Sequence, residues 1–540
     1  MASRPKKFRY LISTVGTALA LAFGTTAAVQ ASPSAHAANQ PVACATGTTV
    51  NTTDGPVCGI VNNSVTEWLG IPYAAPPVGS LRWQPPQPPT PWTTPLQATS
   101  FGSECVQVFP GFPSGGTENC LFINVWAPKG TTGGSNLPVM VHIHGGGFVI
   151  GSGNSDNTLL AATGNEIIVS MNYRLGIFGF LADSTFGPHS GDYGLEDQQA
   201  ALRWVQKNIA AFGGNRRNVT IFGESAGGSS VCDQIASPTA AGLFERGIST
   251  SGEYNTLLGA PTPLETQDCK SNLPSQQQAD AAGDGFASAV GCANATDLAA
   301  CLRAVPVATA AADSGYGYQD GGNGTVSPTI NGVTLTMSLR QALRTGHVNR
   351  VSVIAGTDRD EDLVGTAHTA AQYTQLVQTQ YGKYASRVLG RYPLSHFDSP
   401  NIAWRTVAAD SDTVCPSLVT DRDLARWMPV YGYEIDDYDI PPYTGTTAAG
   451  ASHVGAWFLN PVSPALDANQ QALQDEEVAS VTHFARTGNP SAPGTPYWPE
   501  FGHSRSELAL APAGDSAVMS VSQIMAIHSC GFWDQIAPHQ

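Results

Sequence analysis

The stretch Val219–Ala236, VTIFGESAGGSSVCDQIA, constrains the fold more than any other part of the chain. VTIF is a short apolar, β-branched run suited to a central strand of a parallel sheet, and AGGSSVCDQIA continues as a helix of small residues. Only a very tight turn separates them, with Ser225 at its apex and glycine at positions 223 and 227. Side chains two positions either side of the serine would collide with neighbouring backbone, so the turn needs glycine there. Such a turn lifts the hydroxyl to the carboxyl edge of the sheet. It also leaves the next amide, that of Ala226, facing whatever the hydroxyl attacks. In 540 residues with 57 glycines the pattern G-x-S-x-G arises readily by chance. The flanking strand and helix therefore carry the inference, not the pattern.

Other apolar runs, LPVMVHIHG, EIIVSMNYR and VSVIAG, alternate with helix-like segments such as LEDQQAALRWVQKNIAAFG. That alternation predicts an α/β chain whose central, mostly parallel sheet has helices on both faces and carries large loop and helical insertions. No long low-complexity linker or internal repeat divides the chain, so residues 38–540 read as one domain. The Pro-rich segment Ile71–Trp92 contains tryptophans and an arginine, which suits an ordered surface wrap, and Asp313–Thr325 reads as a long loop within the domain.

The first residues have a basic start (Arg4, Lys6, Lys7, Arg9), an apolar stretch from Leu11 to Phe23 and small residues beyond it. This is the pattern of a secretory signal peptide spanning residues 1–37, cut near Ala37 with Ala31 as the alternative. The apolar run is shorter than the roughly 20 residues a membrane anchor needs. All ten cysteines follow that cut, an even number in a chain sent to an oxidising compartment, and so read mainly as disulfides. No C-x-x-C or H-E-x-x-H pattern argues for a metal. A net charge of -16 with 13% charged residues points away from nucleic acid and anionic membranes.

A second informative stretch is VHIHGGGFVIGSG, where an apolar run from Val139 to Ile143 meets the consecutive glycines Gly145, Gly146 and Gly147. Glycines let the backbone approach a ligand closely and present bare N–H groups, as stabilising a tetrahedral oxyanion requires. A run of this kind preceding a serine elbow is the arrangement of lipases and esterases.

With these pieces in hand, the sequence resembles the type B carboxylesterases, the α/β-hydrolase family that includes cholinesterases. The matching segments are GIPYAAPPVGSLRW, ENCLFINVWAP, HGGGF, NYRLGIFGFL, GDYGLEDQQAALRWVQKNIAAFGGNRRNVTIFGESAGG and CGFW, in the family's order. The resemblance implies Ser225 as nucleophile and the amides of Gly146, Gly147 and Ala226 as the oxyanion hole. It implies Glu361, in VIAGTDRDEDLVG, as the acid, although Asp362 stands where the family usually has glycine. It implies His453, in GASHVGAWFL, as the base, with Val454 and Trp457 replacing the usual glycine and glutamate; His483 and His528 are the alternatives. Arg174 with Asp197, and Arg82 with Glu118, resemble buried family ion pairs of the scaffold. Glu224, next to the serine, reads as a supporting carboxylate because adjacent side chains of a strand point to opposite faces. Cys105 with Cys120 and Cys292 with Cys301 resemble family pairs closing short loops. Cys415 with Cys530 resembles the pair that ties the C-terminal region back in cholinesterases. The even count leaves the pairing of Cys44, Cys58, Cys232 and Cys269 open, with Cys44–Cys58 a candidate N-terminal pair and Cys232 and Cys269 then bonded to each other or free.

The chemistry implied is hydrolysis of a small-molecule ester through an acyl-enzyme, without metal or organic cofactor. A catalytically silent cholinesterase-like binding protein and a serine peptidase of the same fold are the competing readings. Ser249–Asn255 is a candidate lining for the acyl side, and the absence of a long apolar lid favours soluble esters over emulsified fat. Oligomeric state is not legible in the sequence.

Overall fold

The computed structural model describes residues 43–108, 115–252, 273–312, 327–360, 367–436 and 466–536. The apolar runs form strands: β1 (Val50–Asn51), β2 (Pro56–Cys58), β3 (Ile60–Asn62), β4 (Val65–Pro72), β5 (Leu96–Gln97), β6 (Phe122–Pro128) and β7 (Leu137–Ile143). They continue with β8 (Ile167–Met171), β9 (Gly214–Glu224), β10 (Arg246–Thr250), β11 (Ser352–Asp358), β12 (Val430–Ile435), β13 (Ser506–Leu510) and β14 (Ala517–Ser520). Strands β1, β2 and β5 make a small separate sheet, and the rest form one eleven-stranded sheet in the order β14-β13-β12-β11-β10-β9-β7-β8-β6-β4-β3. Every neighbouring pair from β13 to β8 is parallel. Antiparallel strands finish the two ends, β14 on one side and β6, β4 and β3 on the other.

Both faces of this sheet are apolar, so it must be covered on both. Along β7, Val139, Val141 and Ile143 belong to one hydrophobic cluster, while Met140 between them belongs to another. The first cluster is closed by helices Tyr193–Asn208 and Ala226–Ala236, the second by Thr158–Gly164 and the long helix Ala468–Thr487. Between β10 and β12 the chain inserts further helices, among them Gln276–Ala289, Ala370–Tyr381 and Pro400–Ala408, which are the large insertions expected.

Buried ion pairs join segments that the sheet itself does not connect. Arg174 grips Asp197 through Nε (2.7 Å) and Nη2 (2.8 Å), and both side chains are buried. Arg82 holds Glu118 with two bonds of 2.6 Å and donates a third, 2.6 Å, to the Val305 carbonyl. This arginine lies in the Pro-rich segment, whose neighbouring Trp83 is fully buried and donates to the Ile177 carbonyl at 2.9 Å. The segment is thus an ordered wrap. The glycine-rich stretch Asp313–Thr325 lies outside the described residues.

Disulfides join Cys44 to Cys58, Cys105 to Cys120, Cys292 to Cys301, and Cys415 to Cys530. Cys232 is also disulfide-bonded, and Cys269 lies outside the described residues. The Cys415–Cys530 bridge closes a loop of 115 residues. Beside it, the buried His528 places Nδ1 2.6 Å from Asp410 Oδ1 and Nε2 3.0 Å from Glu434 Oε2. The first contact is an aligned hydrogen bond; the second is an ionic approach without hydrogen-bond alignment. Tyr392 donates to the other Asp410 oxygen at 2.7 Å, and Trp533 donates to the Tyr392 hydroxyl at 2.8 Å. Burial alone would depress the imidazole, but the two carboxylates outweigh it and raise His528 to about 10.

Two outcomes follow. Replacing both Cys415 and Cys530 by serine lowers unfolding stability by about 5 kcal/mol, the chain-entropy value for a loop of this length, measured by denaturant titration. Because the pKa of His528 is raised on folding, its stabilisation is complete below about 6.5 and fades as pH climbs through about 10. The difference in thermal midpoint between wild type and His528→Gln is therefore largest near pH 6 and shrinks steadily towards pH 10. A gap that grows with pH contradicts the charged clamp.

Candidate active site

The site is built where the chain reverses direction across the sheet. From β7 it steps outward to β8, returns to β9 on the other side of β7, and continues through β10 and β11. A crevice at such a switch point, outside the carboxyl ends of the strands, is where open α/β sheets place ligands. In register, His142 of β7 faces Phe222 of β9, Glu224 faces Thr250 of β10, and Thr250 faces Gly356 of β11. The carboxyl ends of these four strands therefore share one edge.

Ser225 follows β9 directly, with φ 55 and ψ -125, a backbone region costing a residue with a side chain on the order of 1–3 kcal/mol. The surroundings hold it there. Its N–H donates to the Thr250 carbonyl at 2.9 Å, and its carbonyl accepts from Ser229 N–H at 2.8 Å. Helix Ala226–Ala236 starts at the next residue and is buried along its whole length, so its positive end is at the serine. A Cβ on Gly223 would lie 2.4 Å from the Ile143 carbonyl oxygen, and one on Gly227 only 2.1 Å from it. Gly228 is barred in the same way, 2.7 Å from the Thr250 carbonyl oxygen. The glycines expected around the serine are therefore required by contact with backbone.

The glycine run after β7 lies against this turn. A Cβ on Gly145 would stand 2.4 Å from the Glu224 carbonyl oxygen and 3.2 Å from the Ser225 Cβ. Gly146 and Gly147 follow with φ 100 and 64, and the Gly146 carbonyl accepts from Val149 and Ile150, both at 3.0 Å. Tyr173 braces the entry to the run, donating to the His144 carbonyl at 2.7 Å and stacking on the His144 ring at 4.3 Å between centroids. Burial lowers His142 to about 3 and His144 to about 4, so both rings are neutral at neutral pH.

The helix behind the serine is fixed by a buried amide network that sequence patterns do not signal. Gln198 donates to Ser230 Oγ at 2.9 Å, Gln234 to Gln198 at 2.9 Å, and Gln199 to Gln234 at 3.0 Å. These residues sit more than thirty positions apart on two helices, with no local signature.

Ser225, Gly146, Gly147 and Ala226 are thus brought to one edge. Glu361 and His453 lie outside the described residues. The approach to position 361 is described: Arg359 at the end of β11 bonds both Asp436 oxygens, at 2.9 and 3.1 Å. Burial raises the next residue, Asp360, to about 6. Of the alternative histidines, His483 places Nδ1 2.7 Å from the Asn489 carbonyl on the exposed side of its helix, and His528 is enclosed in the carboxylate clamp. In His528 both ring nitrogens face carboxylates. Only the first residues of Ser249–Asn255 are described, and there Ser251 donates its N–H to the Gly356 carbonyl at 2.8 Å. Among the described residues no cluster of His, Cys, Asp or Glu is placed to hold a metal ion.

Comparison with known proteins agrees with this arrangement. The profile of the Carboxylesterase family matches residues 46–533. Para-nitrobenzyl esterase of Bacillus subtilis (strain 168) is 33% identical over 492 residues, covering 85% of this chain and 94% of that protein. Carboxylesterase 1D of Rattus norvegicus is 32% identical over 550 residues, covering 90% and 93%. A solved PNB esterase structure superposes with a TM-score of 0.73 at 30% identity, covering 89% of this chain and 99% of that one. The chain belongs to the carboxylesterase family and is a carboxylic ester hydrolase of the α/β-hydrolase fold.

Proposed function

We propose that this enzyme is secreted after removal of residues 1–37, leaving 38–540 as a single domain. There it hydrolyses small-molecule esters through an acyl-enzyme on Ser225, with His453 as base and Glu361 as the acid that orients it. The observation that carries this reading is the strained elbow: Ser225 is held at φ 55 with the Gly145 backbone packed against its Cβ. A structural serine has no use for such a conformation, whereas a nucleophile gains exposure beside a row of backbone amides.

A serine hydroxyl is a weak nucleophile near neutral pH and needs a base to take its proton during attack. In this mechanism His453 accepts that proton, and the ester carbonyl oxygen becomes an oxyanion held by the amides of Gly146, Gly147 and Ala226. His453 then returns the proton to the departing alcohol. Water, activated by the same base, attacks the acyl-enzyme and frees the carboxylic acid. Glu361 keeps the imidazole in the productive tautomer and balances its charge in the transition state. The positive end of helix Ala226–Ala236 favours the same oxyanion. The basic start and apolar run of the leader, together with the disulfides, support export to an oxidising compartment.

Ser225→Ala and His453→Ala each lower p-nitrophenyl ester turnover by a factor on the order of 10⁶, and the double variant is little worse. An organophosphate labels wild type at Ser225 alone. Substantial turnover by a folded His453→Ala variant would remove that histidine from the mechanism, and peptide cleavage without ester cleavage would replace the reaction class. The rate of wild type rises with pH through a single ionisation near ~6.5, as a neutral imidazole base demands. A flat profile between pH 5 and 8 excludes it.

A further inference from the structure

A second concavity lies along helix Cys415–Leu424, between the Cys415–Cys530 disulfide and the residues that lead into β12 and β13. It has a volume of about 610 Å³, within the range of small-molecule sites. Helix Cys415–Leu424, which leads into β12, forms one wall, and the short helices Phe501–Ser504, Val521–Ile527 and Cys530–Ile536 form the others. Leu418, Phe501 and Met525 line it together with the Cys415–Cys530 disulfide, so its interior is apolar.

The charged residues of the cavity are mostly of one sign. Arg422, Arg426 and Arg505 line it, with Asp534 as the one lining carboxylate. Arg422 and Arg426 share Asp423 at 3.4 Å each, and their side chains stay 50% and 54% exposed. Arg505, just before β13, makes no side-chain hydrogen bond or ion pair among the described residues. Three arginines thus border one partly apolar hollow in a chain that has only 26 basic residues and a net charge of -16. Two carboxylates, Asp423 and Asp534, accompany the three arginines, so the group keeps a net positive charge. A guanidinium is also the donor that matches a carboxylate in two-point geometry.

We propose that this cavity binds an alkyl carboxylate, its chain lying on Leu418, Phe501 and Met525 and its headgroup held by Arg422, Arg426 and Arg505. Its ligand belongs to the same chemical class as the acids that ester hydrolysis releases, yet the site is separate from the one that releases them. Occupancy ties the helix after Cys415 to the segment before Cys530, and so adds a non-covalent link beside the disulfide.

The test is calorimetric titration of the full-length protein, treated with an organophosphate, with acetate, octanoate, dodecanoate and dodecanol. One equivalent of dodecanoate binds, and each methylene between octanoate and dodecanoate tightens binding by up to about fourfold. Acetate and dodecanol bind at least ~10-fold more weakly than dodecanoate. The double variant Arg422→Gln/Arg505→Gln loses at least ~10-fold in dodecanoate affinity while retaining ester turnover and its thermal midpoint. Dodecanol binding as tightly as dodecanoate, or unchanged affinity in the double variant, overturns the proposal. Dodecanoate binding that disappears on organophosphate treatment also overturns it, because the ligand is then in the catalytic crevice. Failure of the organophosphate to react bears on the serine mechanism alone, since the arginine variant still reports on this cavity.

Discussion

The close approach of β7 to the turn after β9 is the constraint from which the rest of the molecule is arranged. With the Ile143 carbonyl oxygen 2.1 Å from where a Gly227 Cβ would be, and the Glu224 carbonyl oxygen 2.4 Å from a Gly145 Cβ, two backbone segments touch without side chains between them. This contact admits only glycine at several positions, forces Ser225 into its unusual backbone conformation, and sets the glycine run beside the hydroxyl. The strain is local, but the restraint is distributed. The Thr250 carbonyl holds the serine amide, and β9 and β11 in turn hold Thr250 of β10 by their register.

Around that contact the protein relies on buried polar groups that are paired. The Arg174–Asp197 and Arg82–Glu118 pairs bind the Pro-rich wrap and the helices to the body, and the glutamine network locks the helix behind the serine. Removing one member of such a set strands a buried charge or amide, which costs more than the intact bond contributes. The site is therefore rigid on the side of the serine and the glycines. His142 and His144 fit the same logic: burial leaves them neutral, so they pack as flat rings rather than adding charge near the oxyanion site.

The C-terminal region is attached differently. There a disulfide, an imidazole between two carboxylates and a Tyr–Trp pair converge on the ends of β11 and β12. The clamp lies behind Asp360, the residue preceding the proposed acid, so the last helices of the chain support the strand end from which that acid emerges. A histidine in this position is a structural cation, and its carboxylate partners explain why it is unsuited to act as a base.

The sequence by itself determined the alternation of strands and helices, the glycines of the elbow and the oxyanion run, because each depends on neighbours within a few positions and on a steric rule that a side chain cannot evade. Resemblance to a family, rather than spacing, pointed to Glu361, His453 and the cysteine partners, since residues more than a hundred positions apart carry no local signal of meeting. Only the tertiary structure decided strand order, the buried glutamine network, the role of His528 and the arginine-lined cavity. Each is set by which surfaces the packed sheet brings together: the same histidine or arginine, read locally, could equally have been an ordinary surface residue.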